Sequence, residues 1–151
     1  MARIYDSVDF FWSDEGDYDL DETGDIRTTA YDPLRSVRQG IYNRVKCDKH
    51  DWQYQKGIGA SLSRFVGQPN TSATGMSIKS AVISALGYHG YIDIGDVNVR
   101  VVPISATMVV VRVVVSYIRT RENSISDSIN LTFLYDYADN NVYPADGRYE
   151  L

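Results

Sequence analysis

The feature that most constrains the fold is a run of β-branched residues in the last third of the chain. Residues 107–118, "TMVVVRVVVSYI", contain six valines. β-Branched residues favour strands, and a strand that is apolar on both faces is typical of one covered on both sides. The flanking segments, 96–105 ("DVNVRVVPIS") and 127–137 ("DSINLTFLYDY"), alternate apolar and polar residues as half-buried strands do. Together they predict a sheet over residues 97–136, with the valine run at its centre and Pro103 at an edge or a strand end.

Two segments that precede the sheet have the apolar spacing of helices. Residues 32–46 begin with an aspartate and a proline, which suit the cap and the first helical position. Residues 76–87 form the second predicted helix, with a cap at Thr74 or Ser77. The predicted buried residues are Leu34, Val37, Ile41 and Val45 in the first helix and Ile78, Val82 and Leu86 in the second. The arginines expected to stay outside are Arg35, Arg38 and Arg44. Gly40 weakens the first helix and can mark a close contact there.

The order of these elements predicts an α+β fold. We expect a mainly antiparallel sheet, built from an N-terminal hairpin and a C-terminal meander, with two helices packed on one face. At 151 residues the chain suits a single domain with a sizeable core. Its expected parts are an acidic hairpin (1–29), a helix (32–46), a loop region (47–75), a helix (76–87), the sheet (97–136) and a tail (137–151).

The stretch "DEGDYDLDETGD", residues 14–25, has two possible interpretations. Asp17, Asp19 and Asp21 match positions 1, 3 and 5 of a calcium loop. The glycine at position 6 and the glutamate at position 12 are missing, because Glu22 and Thr28 stand there. A hairpin needs no exceptions: Tyr18 and Leu20 would share one face, the carboxylates would point to water, and residues 22–25 would make the turn. The hairpin is the favoured interpretation.

The charge of the chain is unevenly distributed. Residues 1–25 hold nine acidic residues against Arg3 alone, a net charge of −8, whereas residues 26–151 carry eleven acids and fourteen bases, a net charge of +3. Such an asymmetry can steer a basic partner toward the N-terminal hairpin, or simply provide a solvated face. No basic stripe with interleaved aromatic residues is present, so nucleic-acid binding is not expected.

The residues that could carry catalysis or bind a metal are few. Cys47 is the only cysteine, which excludes an internal disulfide and agrees with a reducing compartment. It precedes His50 in "CDKHDW", but a nucleophile pair needs a third orienting group, and zinc needs about four ligands. No acid pair, phosphate loop or nucleophile elbow stands out. We therefore expect no enzyme, no cofactor and no metal. No apolar run approaches the roughly 20 residues that span a bilayer, and the start does not have the pattern of a secretion signal.

Taken together, the motifs resemble the sheath-initiator family of contractile tails. They are a "GDYDL" hairpin (16–20) leading to "GDI" (24–26), a helix with S-V-x-Q-G-I-x-x-R spacing (36–44), the Asp51-Trp52 turn and a G-x-G-x-x-L segment (57–62). This family comprises the small baseplate wedge protein of contractile-tailed phages, with relatives in type VI secretion and tailocins. The similarity extends over about residues 6–136.

The resemblance implies structural work in the baseplate of a virion assembled in the host cytoplasm. Six copies would ring the tail tube, contact tube or hub proteins and other wedge proteins, and accept the arms of the sheath protein as added β-strands. The family's Glu-Pro-Arg signature is absent and "YHGYIDI" (88–94) stands in its place. The residues predicted to contact partners are Asp17, Asp19, Asp21, Trp52, Tyr88, His89, Tyr91, Asn130, Thr132 and Tyr135. The alternatives are another tail or neck adaptor or completion protein and, further off, a cell-wall hydrolase, since some relatives are labelled lysozyme-like.

Overall fold

The protein is an α+β domain, as the order of its elements predicts. The computed structural model describes residues 7–13, 17–118 and 127–145. Two helices, α1 (Pro33–Lys46) and α2 (Ser72–Gly87), precede four strands: β1 (Val97–Pro103), β2 (Met108–Ile118), β3 (Asp127–Asp136) and β4 (Asn141–Pro144). Residues 1–6, 14–16, 119–126 and 146–151, which include part of the acidic hairpin and the end of the tail, lie outside the described residues.

The sheet is an antiparallel meander in the order β1-β2-β3-β4. Its register places Val101 opposite Val111, and Val111 opposite Phe133. The valine run forms β2, the strand between the long neighbours β1 and β3, and Val110 and Val111 are fully buried on its two faces. The prediction of a central strand is therefore confirmed. The prediction that both faces are covered holds on the second face only at Val110, because Arg112, Val114 and Ser116 are half-buried there.

The predicted tail contains a further strand, so the expectation of a sheet ending at residue 136 was wrong. After a turn through residues 137–140 the chain returns as β4, with Val142 opposite Tyr135. The segment is only four residues long and contains Asn141 and Pro144, residues that are rare in strands. Pairing with the neighbouring strand β3 determines the conformation of β4, and no local sequence pattern predicts this strand.

Helix α1 has the predicted bounds. The Asp32 carboxylate accepts a hydrogen bond from the Arg35 backbone N–H, and a proline occupies the first turn. Three of its four predicted core residues, Val37, Ile41 and Val45, are at most 1% exposed, and Leu34 is half-buried. The arginines predicted to stay outside (Arg35, Arg38 and Arg44) are all half-buried, which matters for the site below.

Helix α2 begins four residues before its predicted start. Thr71 is its cap, because its hydroxyl accepts a hydrogen bond from the Thr74 backbone N–H. The glycine at position 75 made "PNTSATG" look like a loop, yet it lies inside the helix and faces β1, where a Cβ at this position would lie 3.8 Å from Val101 Cγ1. The predicted end at Gly87 is confirmed.

Both helices cover the same face of the sheet. Helix α2 packs on β1, and α1 packs beside α2 and over β3 and β4. Ile41, Ile78 and Leu86 from the helices meet Val111 and Phe133 from the strands in one core. The connection between the helices contributes to this core through a short helical turn, Leu62–Phe65.

Within the described residues, the acidic N-terminal region pairs through single bridges. Phe10 pairs with Thr28, Trp12 with Tyr18 and Leu20 with Ile26, all antiparallel and outside the four-stranded sheet. The hairpin turn is confirmed, since the Asp21 N–H donates to the Asp25 carbonyl at 2.8 Å. Tyr18 and Leu20 were expected to share one face away from the wet carboxylates, but they are 51% and 61% exposed, so this face is wet as well.

Candidate functional site

One edge of the sheet, the outer side of β1, presents unpaired backbone groups. Pro103 pairs with Val109 and has no N–H, so this pair belongs to the type that forms no mutual hydrogen bonds. Pairs with and without mutual hydrogen bonds alternate along an antiparallel ladder. In agreement with this, the adjacent Ile104 N–H donates to the Met108 carbonyl at 3.0 Å. It follows that Val99 and Val101 point their N–H and C=O groups away from β2. Within the described residues these groups have no hydrogen-bond partner.

The opposite edge, the outer side of β4, is closed by side chains. Pro144 pairs with Phe133 and likewise has no N–H, so the N–H and C=O of Val142, two residues before it, point outward. The Tyr42 hydroxyl donates to the Val142 carbonyl at 3.2 Å, and Asn141 Oδ1 accepts from the Val142 N–H at 2.9 Å. A partner strand would have to displace both contacts. Of the two outer strands, β1 is therefore the open one.

A groove runs beside the open edge. It has a volume of about 550 Å³ and lies between the first two turns of α2 and β1. Gly75, Met76 and Lys79 form the helix wall, and Met76 is 70% exposed. The side chain of Val101 points toward this wall. A strand paired to β1 would place every second side chain over this groove, which is how strand addition gains sequence selectivity.

The three predicted contact residues of β3 divide between surface and core. Asn130 is exposed, and its Oδ1 accepts from Arg112 Nε at 3.0 Å. Thr132 is buried, and Tyr135 is only 1% exposed. The Tyr135 hydroxyl donates to the Leu62 carbonyl at 2.7 Å, and burial raises the pKa of Tyr135 to about 12. Thr132 and Tyr135 hold the fold together and offer no surface to a partner.

The predicted contact residues around the end of α2 also turn mostly inward. The Tyr88 hydroxyl packs against Gly57, and the Tyr91 ring lies under the Arg44 guanidinium, 3.6 Å from it, next to Gly40. His89 has a φ of 54° and is exposed, with its ring stacked on Tyr88 at 4.2 Å. Within this group only His89 projects into solvent.

The hairpin carboxylates that were predicted to contact a partner are exposed, but two of the three already interact with groups of the hairpin itself. Asp19 forms an ion pair with Arg27 at 3.2 Å. Asp21 Oδ1 accepts hydrogen bonds from the Thr23 hydroxyl, the Thr23 N–H and the Asp25 N–H, and these bonds lower the pKa of Asp21. The third acid of the calcium-loop pattern is thus bound to its own turn. The Asp17 side chain forms no hydrogen bond within the described residues.

Within the described residues, no hydrogen bond joins Cys47 to His50. The predicted contact residue Trp52 is 47% exposed, and its indole N–H donates to Cys47 Sγ at 3.3 Å. Burial raises the pKa of the Cys47 thiol, which disfavours the nucleophilic thiolate. His50 is exposed and has a φ of 77°. Across residues 7–13, 17–118 and 127–145, no three His, Cys, Asp or Glu side chains converge as a metal site would require.

A second surface, which the sequence did not indicate, lies between the N-terminal segment (residues 7–13) and α1. The Gln39 amide is 8% exposed, and it accepts from the Trp12 N–H at 2.9 Å and donates to the Phe10 carbonyl at 3.0 Å. Arg35 Nη2 adds a bond to the Trp12 carbonyl at 2.6 Å. These contacts fix the N-terminal segment along α1 and create a small cavity over β3. A buried glutamine in a helix is the only local hint of it.

Comparisons of the chain with protein-family models, curated proteins and solved structures found no match. In the described part of the chain, neither α1 nor α2 is long and apolar enough to cross a bilayer.

Proposed function

We propose that this protein is a non-enzymatic assembly protein that accepts a β-strand from a partner along β1. The observation that carries the proposal is the contrast between the two edges of the sheet. The outward groups of Val99 and Val101 are unpaired within the described residues, whereas those of Val142 are satisfied by Tyr42 and Asn141. An unpaired edge of this length either invites strand addition or requires protection.

The partner we propose is the sheath protein of a contractile tail. The support is the resemblance to sheath initiators, together with an open edge and a groove that can receive alternate side chains. In this proposal the protein sits in the virion baseplate among other wedge proteins and tail tube or hub proteins. There it templates the first sheath ring, using no cofactor and no metal.

The edge itself favours an ordered partner strand. Pro103 has no outward N–H, so an added strand gains donors only from Val99 and Val101 and must align on them. On the other face of β1, Asn98 and Arg100 are exposed and keep the free edge soluble, as charged and polar residues do on natural edge strands. These features suit a strand that adds in one register.

The test is seeded polymerisation of the sheath protein from the same tail. The wild-type protein should shorten the lag before sheath tubes are visible by electron microscopy. Val101→Pro, which removes one outward donor, should abolish this seeding, whereas Asn98→Ala on the same strand should preserve it. Cryo-electron microscopy of the seeded tubes should show a foreign strand beside β1. If Val101→Pro is folded and still seeds as fast as the wild type, the proposal is wrong.

A further inference from the structure

The small cavity beside α1 has the chemistry of a receptor for one apolar side chain flanked by carboxylates. Its volume is about 180 Å³, and it lies at the β3–β4 end of the sheet, away from the open edge of β1. Leu131 and Phe133 of β3 and Tyr42 of α1 provide apolar surface, and Trp12 closes one side. Pockets for drug-sized ligands are typically about 300–1,000 Å³, so this one suits a single protein side chain better than a cofactor.

The cavity is surrounded by positive charge. Arg35, Arg38 and Lys46 line it, and none of the acidic side chains in the described residues does. The ion pair found within the described residues joins Arg27 to Asp19, so neither Arg38 nor Lys46 is neutralised by an ion pair there. The Lys46 ammonium lies 5.6 Å from the Tyr42 ring centre, at the mouth of the apolar surface. A carboxylate held at this mouth would meet two cations.

The same chain presents a surface of matching chemistry, the tip of its acidic hairpin. Leu20 pairs with Ile26 near the turn, and they are 61% and 39% exposed. Leu20 stands between Asp19 and Asp21, and Glu22 follows. An exposed leucine between carboxylates is an apolar group that a cationic, apolar cavity can receive.

We propose that the hairpin tip of one copy docks in the α1 cavity of a second copy. Leu20 enters the cavity, and the nearby acids Asp17 and Glu22, whose side chains form no hydrogen bonds within the described residues, meet Arg38 and Lys46. The two surfaces are different, so the contact is head-to-tail, and each added copy leaves one tip and one cavity free. Such contacts close into rings or continue as chains. This inference does not rest on strand addition at β1, which uses the other end of the sheet.

Sedimentation velocity tests the proposal through charge reversal on each surface. The variants are Arg38→Glu/Lys46→Glu in the cavity and Asp17→Lys/Glu22→Lys in the acidic hairpin. The Asp17 and Glu22 side chains form no hydrogen bonds within the described residues. The control, Lys49→Glu/Lys56→Glu, changes the net charge equally at two exposed positions outside the cavity. Each protein is measured from about 10 to about 500 µM, where a small interface is expected to associate.

The wild type and the control should sediment faster as their concentration rises at about 20 mM salt, and less so at about 500 mM, where screening is strong. Each reversal variant alone should remain monomeric, and an equimolar mixture of the two should associate again. Leu20→Ser, an exposed change that leaves the core intact, should also prevent association. A monomeric wild type at every concentration would overturn the proposal, as would association of the folded cavity variant at wild-type strength.

Discussion

Gly40 of α1 lies directly against the hydroxyl end of Tyr91: a Cβ at position 40 would be 2.0 Å from the Tyr91 hydroxyl oxygen and 2.8 Å from its ring carbon Cζ. Alanine normally stabilises a helix interior relative to glycine by about 1 kcal/mol. Here we expect Gly40→Ala to destabilise the protein by about 1 kcal/mol, because displacing Tyr91 from beneath Arg44 outweighs that gain. Urea unfolding followed by circular dichroism measures the difference.

The control for this prediction is the same change in a Tyr91→Ala background. With the ring removed, Gly40→Ala should reverse its sign and stabilise the protein by about 0.5–1 kcal/mol. Equal effects in the two backgrounds would show that the contact with Tyr91 does not limit position 40.

The buried tyrosines 135 and 137 should respond differently to loss of their hydroxyls. Tyr135→Phe removes the hydrogen bond to the Leu62 carbonyl, a contact between β3 and the turn before α2, and should cost about 1–2 kcal/mol. The Tyr137 hydroxyl is buried and has no hydrogen-bond partner in the described structure, so Tyr137→Phe should be neutral or slightly stabilising. Chemical unfolding of the two matched variants distinguishes these outcomes, and a larger loss for Tyr137→Phe would contradict the assignment.

The raised pKa of Tyr135 predicts a stability loss in strong base. Its folded pKa is about 12, above the value near 10 in an unfolded chain, mainly because burial disfavours the phenolate. The resulting stabilisation is complete below pH 10 and disappears as the pH rises toward 12. Between pH 10 and pH 12 the free energy of unfolding of the wild type should therefore fall by about 1–3 kcal/mol more than that of Tyr135→Phe. Unfolding curves at pH 8, 10 and 11.5 measure the gap, and a constant gap would refute the prediction.

Much of the fold could be predicted because it depends on local patterns. The valine run defined β2, the alternation around it defined β1 and β3, and the aspartate and proline at 32–33 defined the start of α1. Gly40 was correctly interpreted as a close contact, since a helix interior tolerates glycine mainly where space is short.

What could not be predicted depends on contacts between distant parts of the chain. The closure of the β4 edge joins Tyr42 to Val142, a hundred residues apart. The alternation of the strand places Tyr135 on the face of Leu131 and Phe133, but its hydrogen bond to the Leu62 carbonyl spans 73 residues and has no local signal. The α1 cavity needs Gln39 to hold the N-terminal segment in place, so no single segment encodes it.

Gln39 should control the order of the N-terminal segment. Gln39→Met keeps the length of the side chain but loses both bonds to the segment, those to the Trp12 N–H and the Phe10 carbonyl. We expect a loss of about 1–2 kcal/mol and hydrogen exchange roughly tenfold faster in residues 8–13. Gln53→Met is the control, because Gln53 is exposed and makes no side-chain hydrogen bond in the described structure. Unchanged exchange at residues 8–13 would mean that other contacts hold the segment.

The orientation of the β1 backbone can be tested by comparing proline at two adjacent positions. The Val101 N–H points away from β2, so Val101→Pro removes no bond within the sheet and should cost only about 1 kcal/mol. The Val102 N–H points toward Val110, so Val102→Pro breaks a bond of the sheet and should cost about 3 kcal/mol or more, although the Val102 side chain is 37% exposed and packs less. Thermal and urea unfolding of the two variants gives the comparison. If Val101→Pro were the more damaging of the two, the open edge of β1 would be assigned to the wrong set of peptide groups, and strand addition there would lose its structural basis.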